Sequence, residues 1–201
     1  DATYTIDKLD EILPQHFAKA EHIYYGLGRD ERMNAKILDL MSRARMMRPR
    51  NGCGPVSLID PGELLHELRL FRSEGELGLM QRAITASTAA HQAALTQTRP
   101  GMYEYEIEAL LEFQFRRHGA EGPAYPSIVA SGANATILHY IENTRQMQDG
   151  DLLLIDAAAE FSCYCSDVTR TFPVGARFSP LQRDVYSLVL TAQKEAIAMI
   201  R

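Results

Sequence analysis

The chain has 201 residues, 46% hydrophobic and 23% charged, with a net charge of −5 at pH 7. Those values are ordinary for a soluble globular protein of one large domain, or of one domain and part of another. The acidic balance gives no footing for nucleic acid or an anionic membrane as partner, and no apolar run approaches the roughly 18 residues of a membrane span.

The three cysteines, Cys53, Cys163 and Cys165, do not make a disulfide framework, so a reducing compartment, the cytoplasm, is expected. No signal peptide is read, and the chain opens on Asp1 rather than Met, as if inside a gene product. A short helix is predicted over 5–13, capped by Thr5, with Ile6, Leu9, Ile12 and Leu13 as its stripe and Pro14 as its stop. A strand over 22–25 ends at Gly26-Leu27-Gly28, a turn lacking the third glycine of a dinucleotide loop. Asp30 caps a helix to about residue 46, and Arg43, Arg45, Arg48 and Arg50 read as its solvated end. Residues 49–62 hold three prolines and three glycines, a loop or linker composition. Residues 63–71 give no clear state, and a domain boundary is expected near Arg72-Ser73.

Ser73 and Glu76 have capping-box spacing and open a long helix to about residue 97. Leu77, Met80, Ile84 and Leu95 are its expected core face. The next helix, 104–117, carries Glu104, Glu106 and Glu108 near its start and Arg116, Arg117 and His118 at its end, as the helix dipole favours. Ile107, Leu110 and Leu111 are its expected buried face. Strands are predicted over 125–130 and 136–140, the second carrying His139, around a turn at 131–134. Ser179-Pro180 starts a last helix whose apolar set, from Val185 to Met199, runs on to Arg201 without a stop signal.

The most informative stretch is 151–172, DLLLIDAAAEFSCYCSDVTRTF. Leu152 to Ile155 reads as a buried strand with Asp156 at its end, and 163–172 as a returning strand that carries Asp167. A turn at about Phe161-Ser162 would set the two aspartates opposite each other on one face. Two such carboxylates repel, and burying either one unpaired is costly. Arg170 falls on the other face by strand alternation and does not relieve them. A cation shared by both would, and a solvated rim pair or a hydrogen-bonded core pair are the plainer alternatives.

From about residue 59 to residue 201 the sequence resembles the pita-bread metallo-aminopeptidases, specifically aminopeptidase P (Xaa-Pro aminopeptidase). The resemblance rests on ILHYIEN at 137–143, DGDLLLIDAAAEF at 149–161 and SDVTRTFPV at 166–174, with RPGMYEYEIE and FSPLQRDVY in support. It implies an α/β (α+β) chain: residues 1–72 as the end of an N-terminal α/β domain plus linker, and residues 73–201 as the first half of a pita-bread catalytic domain. It implies Asp156 and Asp167 as two of five ligands of a dinuclear metal site, usually manganese. Hard carboxylate ligands suit Mn²⁺. His139, by itself a histidine among apolar residues and so ordinarily a satisfied core residue, becomes a catalytic and substrate-site residue. Tyr125 is implied in the same pocket, and Thr169, on the predicted Asp167 face, is placed to orient that carboxylate.

The family's remaining ligands, one His and two Glu, would lie further along a longer chain. The sequence therefore reads as an internal fragment, inactive alone and with apolar area exposed unless a partner covers it. Ala158, Phe161 and Cys165 depart from the family pattern, and Cys165 reads as a small buried thiol or a soft-metal ligand. The implied substrates are proline-containing peptides, and the implied assembly of the full-length protein is a homo-oligomer. Alternatives are a prolidase-type dipeptidase and a metal-free pita-bread protein that binds partners.

Overall fold

The structure, a computed structural model, describes residues 2–175 and 177–200. The chain divides into two compact units, Asp1–Arg72 and Ser73–Arg201. The first contains α1 (Leu9–Phe17), β1 (His22–Tyr24), α2 (Glu31–Asn51), β2 (Ser57–Ile59) and α3 (Gly62–Leu70). β1 and β2 pair in parallel, His22 beside Ser57 and Tyr24 beside Ile59. The helix α2 makes the crossover that parallel pairing requires. Phe17, Ile37 and Met41 are buried between these elements, with Leu13, Ile23, Leu40 and Leu58 against them.

Local rules err here where packing overrides them. Pro14 does not stop α1, which runs through it to Phe17 after a 3-10 turn at Ile6–Lys8. Thr5 occupies the cap position without a side-chain hydrogen bond. Pro49 likewise lies inside α2, which ends at Gly52 with φ 70°. A proline removes one backbone donor, and a helix whose apolar face is docked withstands that loss. The linker-like stretch yields β2, because its partner strand lies far back along the chain. Asp30 caps α2 as expected, its carboxylate accepting from the Met33 amide at 2.8 Å.

The second unit begins with α4 (Glu74–Gln97), whose capping box between Ser73 and Glu76 is complete. It continues through α5 (Glu104–Arg117), β3 (Gly122–Pro123), β4 (Ile128–Ser131) and a 3-10 turn, Gly132–Thr136. Then come β5 (Leu152–Asp156), β6 (Ala159–Phe161), β7 (Tyr164–Cys165), β8 (Thr169–Pro173) and α6 (Pro180–Met199). The strands form two antiparallel three-stranded sheets, β4-β5-β8 and β3-β6-β7. The strand predicted over 136–140 does not form; that segment follows the 3-10 turn as irregular chain. The last helix does not run on as expected: it ends at Met199 with Ile200 extended, and Arg201 lies outside the described residues.

The predicted core face of α4 is corrected. Leu77, Ile84 and Leu95 are about half exposed, whereas Ala83, Ala86, Ala90 and Ala94 are fully buried. The helix turns its small residues inward and lies close against the sheet. Ile107, Leu111 and Phe115 of α5 fill the same core, with Leu153, Ile155 and Phe172 from the strands; Leu110 is only half-buried. Large apolar side chains of α6, among them Leu181, Leu188 and Val189, are exposed.

Two substitutions test this packing. Ala90→Leu is expected to lower stability by about 1–3 kcal/mol through overpacking. Ser73→Ala is expected to cost about 1 kcal/mol through loss of the cap. Urea unfolding followed by circular dichroism measures both.

Candidate active site

The site is built on one continuous two-stranded ribbon. β5 and β8 pair with Asp156 beside Thr169, and β6 and β7 pair with Glu160 beside Cys165. The Ala157 amide donates to the Val168 carbonyl and the Ser166 amide to the Ala159 carbonyl, so one register runs through both sheets. The tight turn is Ser162-Cys163, both residues left-handed with φ 48° and 66°, as a two-residue hairpin of this hand demands. The turn lies one residue later than the sequence suggested, and the register shifts accordingly. Asp156 stands across from Thr169, and Asp167 falls across from Ala158. The two aspartates share a face as diagonal neighbours, not as a directly opposed pair, a relation that sets such residues about 7–8 Å apart across the strands.

Tyr125 occupies that gap. Its hydroxyl lies 2.6 Å from Asp156 Oδ1 and 3.3 Å from Asp167 Oδ1. It is placed by a bulge. The Ala124 amide donates to the Ala158 carbonyl while Ile128 pairs with Asp156, so residues 125–127 stand against Ala157 alone. Bulges re-aim side chains in this way at the margins of sites. Burial, then the hydrogen bond to Asp156 and its charge, push the Tyr125 phenol well above its ordinary pKa, so it keeps its proton.

One phenolic proton cannot satisfy two carboxylates. Neither Asp156 nor Asp167 forms an ion pair with Lys or Arg among the described residues. Arg170 lies instead, with His91 and Phe172, along a cavity of about 370 Å³. Oxygen donors converging without a protein cation fit a hard divalent ion. Among the described residues no third His, Cys, Asp or Glu joins them, so this chain supplies only part of such a donor set.

The other expected residues lie as follows. Thr169 is the cross-strand partner of Asp156, and its side chain is not hydrogen-bonded to either aspartate among the described residues. His139 is exposed, not a core histidine, and has the left-handed φ of 55°. It sits on the irregular segment after the 3-10 turn, with no hydrogen bond to the aspartates. Cys165 is exposed rather than buried. Partial desolvation, then the nearby Glu160 and Cys163, raise its pKa and disfavour the thiolate a soft metal needs.

Two groups of residues escaped the sequence reading. On α4, Ser87 and His91 clamp the ribbon where it changes sheets. Ser87 Oγ accepts from the Ala159 amide at 2.8 Å and lies 2.8 Å from Ser166 Oγ, and His91 Nε2 lies 2.9 Å from the Ala157 carbonyl. The carbonyl is an acceptor, so Nε2 carries the proton, and burial lowers the His91 pKa and keeps the ring neutral. The available signal was a Ser and a His four residues apart within an alanine face. The second group surrounds Glu104, which is fully buried. Its Oε1 accepts from the Ser131 amide and hydroxyl at 2.7 Å each, and its Oε2 from Tyr140 Oη at 2.7 Å and the Arg145 amide at 2.9 Å. Burial raises its pKa, but these donors outweigh burial and hold the carboxyl below its ordinary range. Arg145 Nη1 extends the network to Ser131 Oγ and to Asp151 Oδ2, at 2.7 and 2.5 Å.

A family model described as metallopeptidase family M24 matches residues 78–201. The chain belongs to this family. Within the M24 family it is 36% identical over 201 residues to the Xaa-Pro aminopeptidase of Escherichia coli K12, covering 100% of this chain and 46% of that protein. It is 50% identical over 143 residues to the Xaa-Pro aminopeptidase of Haemophilus influenzae, covering 71% of this chain and 33% of that one. Zinc-substituted E. coli aminopeptidase P in complex with product superposes with a TM-score of 0.91 at 36% identity, over 100% of this chain and 46% of that one. Proline aminopeptidase P II from Yersinia pestis gives 0.90 at 39%, with the same coverage. The mixed helix-and-sheet architecture is thus the pita-bread fold of aminopeptidase P. The chain spans less than half the length of these relatives.

The buried network makes this M24 chain sensitive to acid. Glu104 and Asp151 both have lowered pKa values: burial raises that of Asp151, but the Arg145 hydrogen bond and the Gln148 amide prevail. A depressed carboxyl contributes stability above its unfolded pKa and loses it as pH falls through the folded value. The urea midpoint is therefore expected to drop between about pH 6 and about pH 3, and to drop less in Glu104→Gln.

Proposed function

We propose that the full-length protein carrying this chain is a metal-dependent exopeptidase that releases the N-terminal residue preceding proline. The observation that carries this reading is the diagonal pair Asp156 and Asp167 converging on one phenol within an M24 fold. Asp156 and Asp167 would hold the metal, manganese by the chemistry of hard carboxylate donors. When bound, a divalent cation supplies a Lewis acid for the scissile carbonyl and a water of lowered pKa.

The chain's own residues have separate tasks. Tyr125 remains protonated and fixes Asp156 through a short hydrogen bond, which keeps the carboxylate in one rotamer. Thr169, on the same face of the strand as Asp167, would orient that carboxylate. His139, on the exposed loop, donates a hydrogen bond to the oxyanion that develops on the carbonyl before proline. Residues 73–201 then correspond to the first half of the catalytic domain, and residues 1–72 to the end of the preceding domain. Proline-containing peptides as substrates, a cytoplasmic setting and self-association of the full-length protein belong to the same proposal. Among the described residues, no helix is long and apolar enough to cross a membrane.

Hydrolysis of an Xaa-Pro-Pro peptide with added Mn²⁺, with and without chelator, tests the reading in the full-length protein. Activity that chelator abolishes is expected, and Asp156→Asn or Asp167→Asn should reduce it by at least about a hundredfold. Tyr125→Phe should weaken metal affinity by about 10–100-fold, read by titration calorimetry. Cleavage of Xaa-Pro dipeptides alone would instead indicate a prolidase. Absence of both cleavage and metal binding would indicate a metal-free binding protein.

A further inference from the structure

We propose that Glu104 is a positioning residue for His139, acting through Tyr140 and the two ends of the loop that carries the histidine. The inference extends the function proposed above. The loop leaves β4 at Ser131 and returns at Arg145, and Glu104 holds both of those points: Ser131 through two hydrogen bonds, Arg145 through its amide. The Glu104 amide donates back to the Arg145 carbonyl at 3.0 Å, so the two backbones are locked in both directions. Within the loop the carboxylate also meets Asn134 Nδ2, at 3.3 and 3.4 Å, and Tyr140 Oη.

Tyr140 is 7% exposed and follows directly on the exposed His139. Its hydroxyl, anchored on Glu104, also receives the Thr144 amide at 3.3 Å. A residue whose tip is fixed in the interior restricts the paths open to the backbone on either side of it. A second observation points the same way. His139 and Asn143 are both left-handed, with φ 55° and 48°. Such conformations are strained for residues other than glycine and persist where surroundings over-determine them. Asn143 is held from inside: its Oδ1 accepts from the Val129 amide and its Nδ2 donates to the Ser127 carbonyl, both at 2.9 Å. For His139, the adjacent Tyr140 supplies an interior anchor through its hydroxyl on Glu104. An exposed imidazole in a disfavoured backbone conformation, tethered through one residue to a buried carboxylate with several donors, is a preset side chain and not a floppy one.

The test uses the full-length protein with Tyr140→Phe, which removes one hydroxyl and keeps the ring, and Glu104→Gln as the harsher variant. Backbone amide exchange over 137–144 should rise about tenfold or more in Tyr140→Phe while exchange in α4 stays unchanged. On an Xaa-Pro-Pro peptide, kcat should fall about tenfold with KM within about twofold, because aim and not binding is lost. In a His139→Ala background Tyr140→Phe should have no further effect on kcat, since a residue that acts through His139 has nothing left to position. Unchanged exchange over 137–144, or an equal loss of kcat in the His139→Ala background, would overturn the proposal. A wild-type protein that does not cleave the peptide would overturn the reading of the reaction instead. The exchange measurement would then decide by itself whether Glu104 and Tyr140 hold the loop.

Discussion

Everything in the second unit depends on a ribbon that passes from one sheet to another without losing register. At the crossing, the backbone of residues 157–159 leaves one set of strand neighbours before it gains the next. Polar groups there are buried and cannot turn to water, so each needs a partner in the protein. Ser87 and His91 supply two of those partners from α4. Ser166 completes the junction from the returning strand. The alanines around Ser87 and His91 let the helix backbone come near enough for short side chains to reach, which is why the larger apolar residues of α4 are displaced outward. The two aspartates flank this junction, so their separation is set by the same hydrogen bonds that hold the ribbon.

The chain treats its buried Glu104 and the more accessible pair Asp156 and Asp167 in two opposite ways. Glu104 is surrounded by donors from Ser131, Asn134, Tyr140 and Arg145, and its charge is fully accounted for within the protein. Asp156 and Asp167 share a single hydroxyl, that of Tyr125, and neither is ion-paired with Lys or Arg among the described residues. The first arrangement builds structure. The second is the arrangement on which the proposed metal site rests. The same residue chemistry thus serves scaffold or site according to how many donors the fold brings to it.

The two arrangements are physically connected through β4 and β5. Ser131 and Ile128 lie at opposite ends of β4, the first bonded to Glu104 and the second paired with Asp156. Just before Ile128 the bulge at 125–127 delivers Tyr125 to the aspartates, and Asn143 stitches the loop to that same stretch through Ser127 and Val129. The loop is therefore joined to the strand edge that aims Tyr125 by hydrogen bonds rather than by loose packing.

What the sequence determined by itself was local or motif-borne. The caps at Asp30, Ser73 and Ser179, the helices that follow them, the strand over Leu152 to Ile155 (of which only Leu153 and Ile155 are fully buried) and the common face of Asp156 and Asp167 are all legible, because each depends on neighbours along the chain or on strand alternation. The family motifs also singled out His139 and Tyr125. The tertiary structure alone decided the rest. The diagonal offset of the aspartates came from a turn placed one residue later, at two residues without the usual Asn-Gly signal. The buried face of α4 went to its alanines, because close approach to the ribbon outweighed the larger side chains. Glu104, which by sequence is one of three acids at a helix start, became a buried hub only when 131–145 folded over it. Hydrogen-bond satisfaction across distant segments leaves no trace in periodicity, and it is that satisfaction which turns these residues into a site.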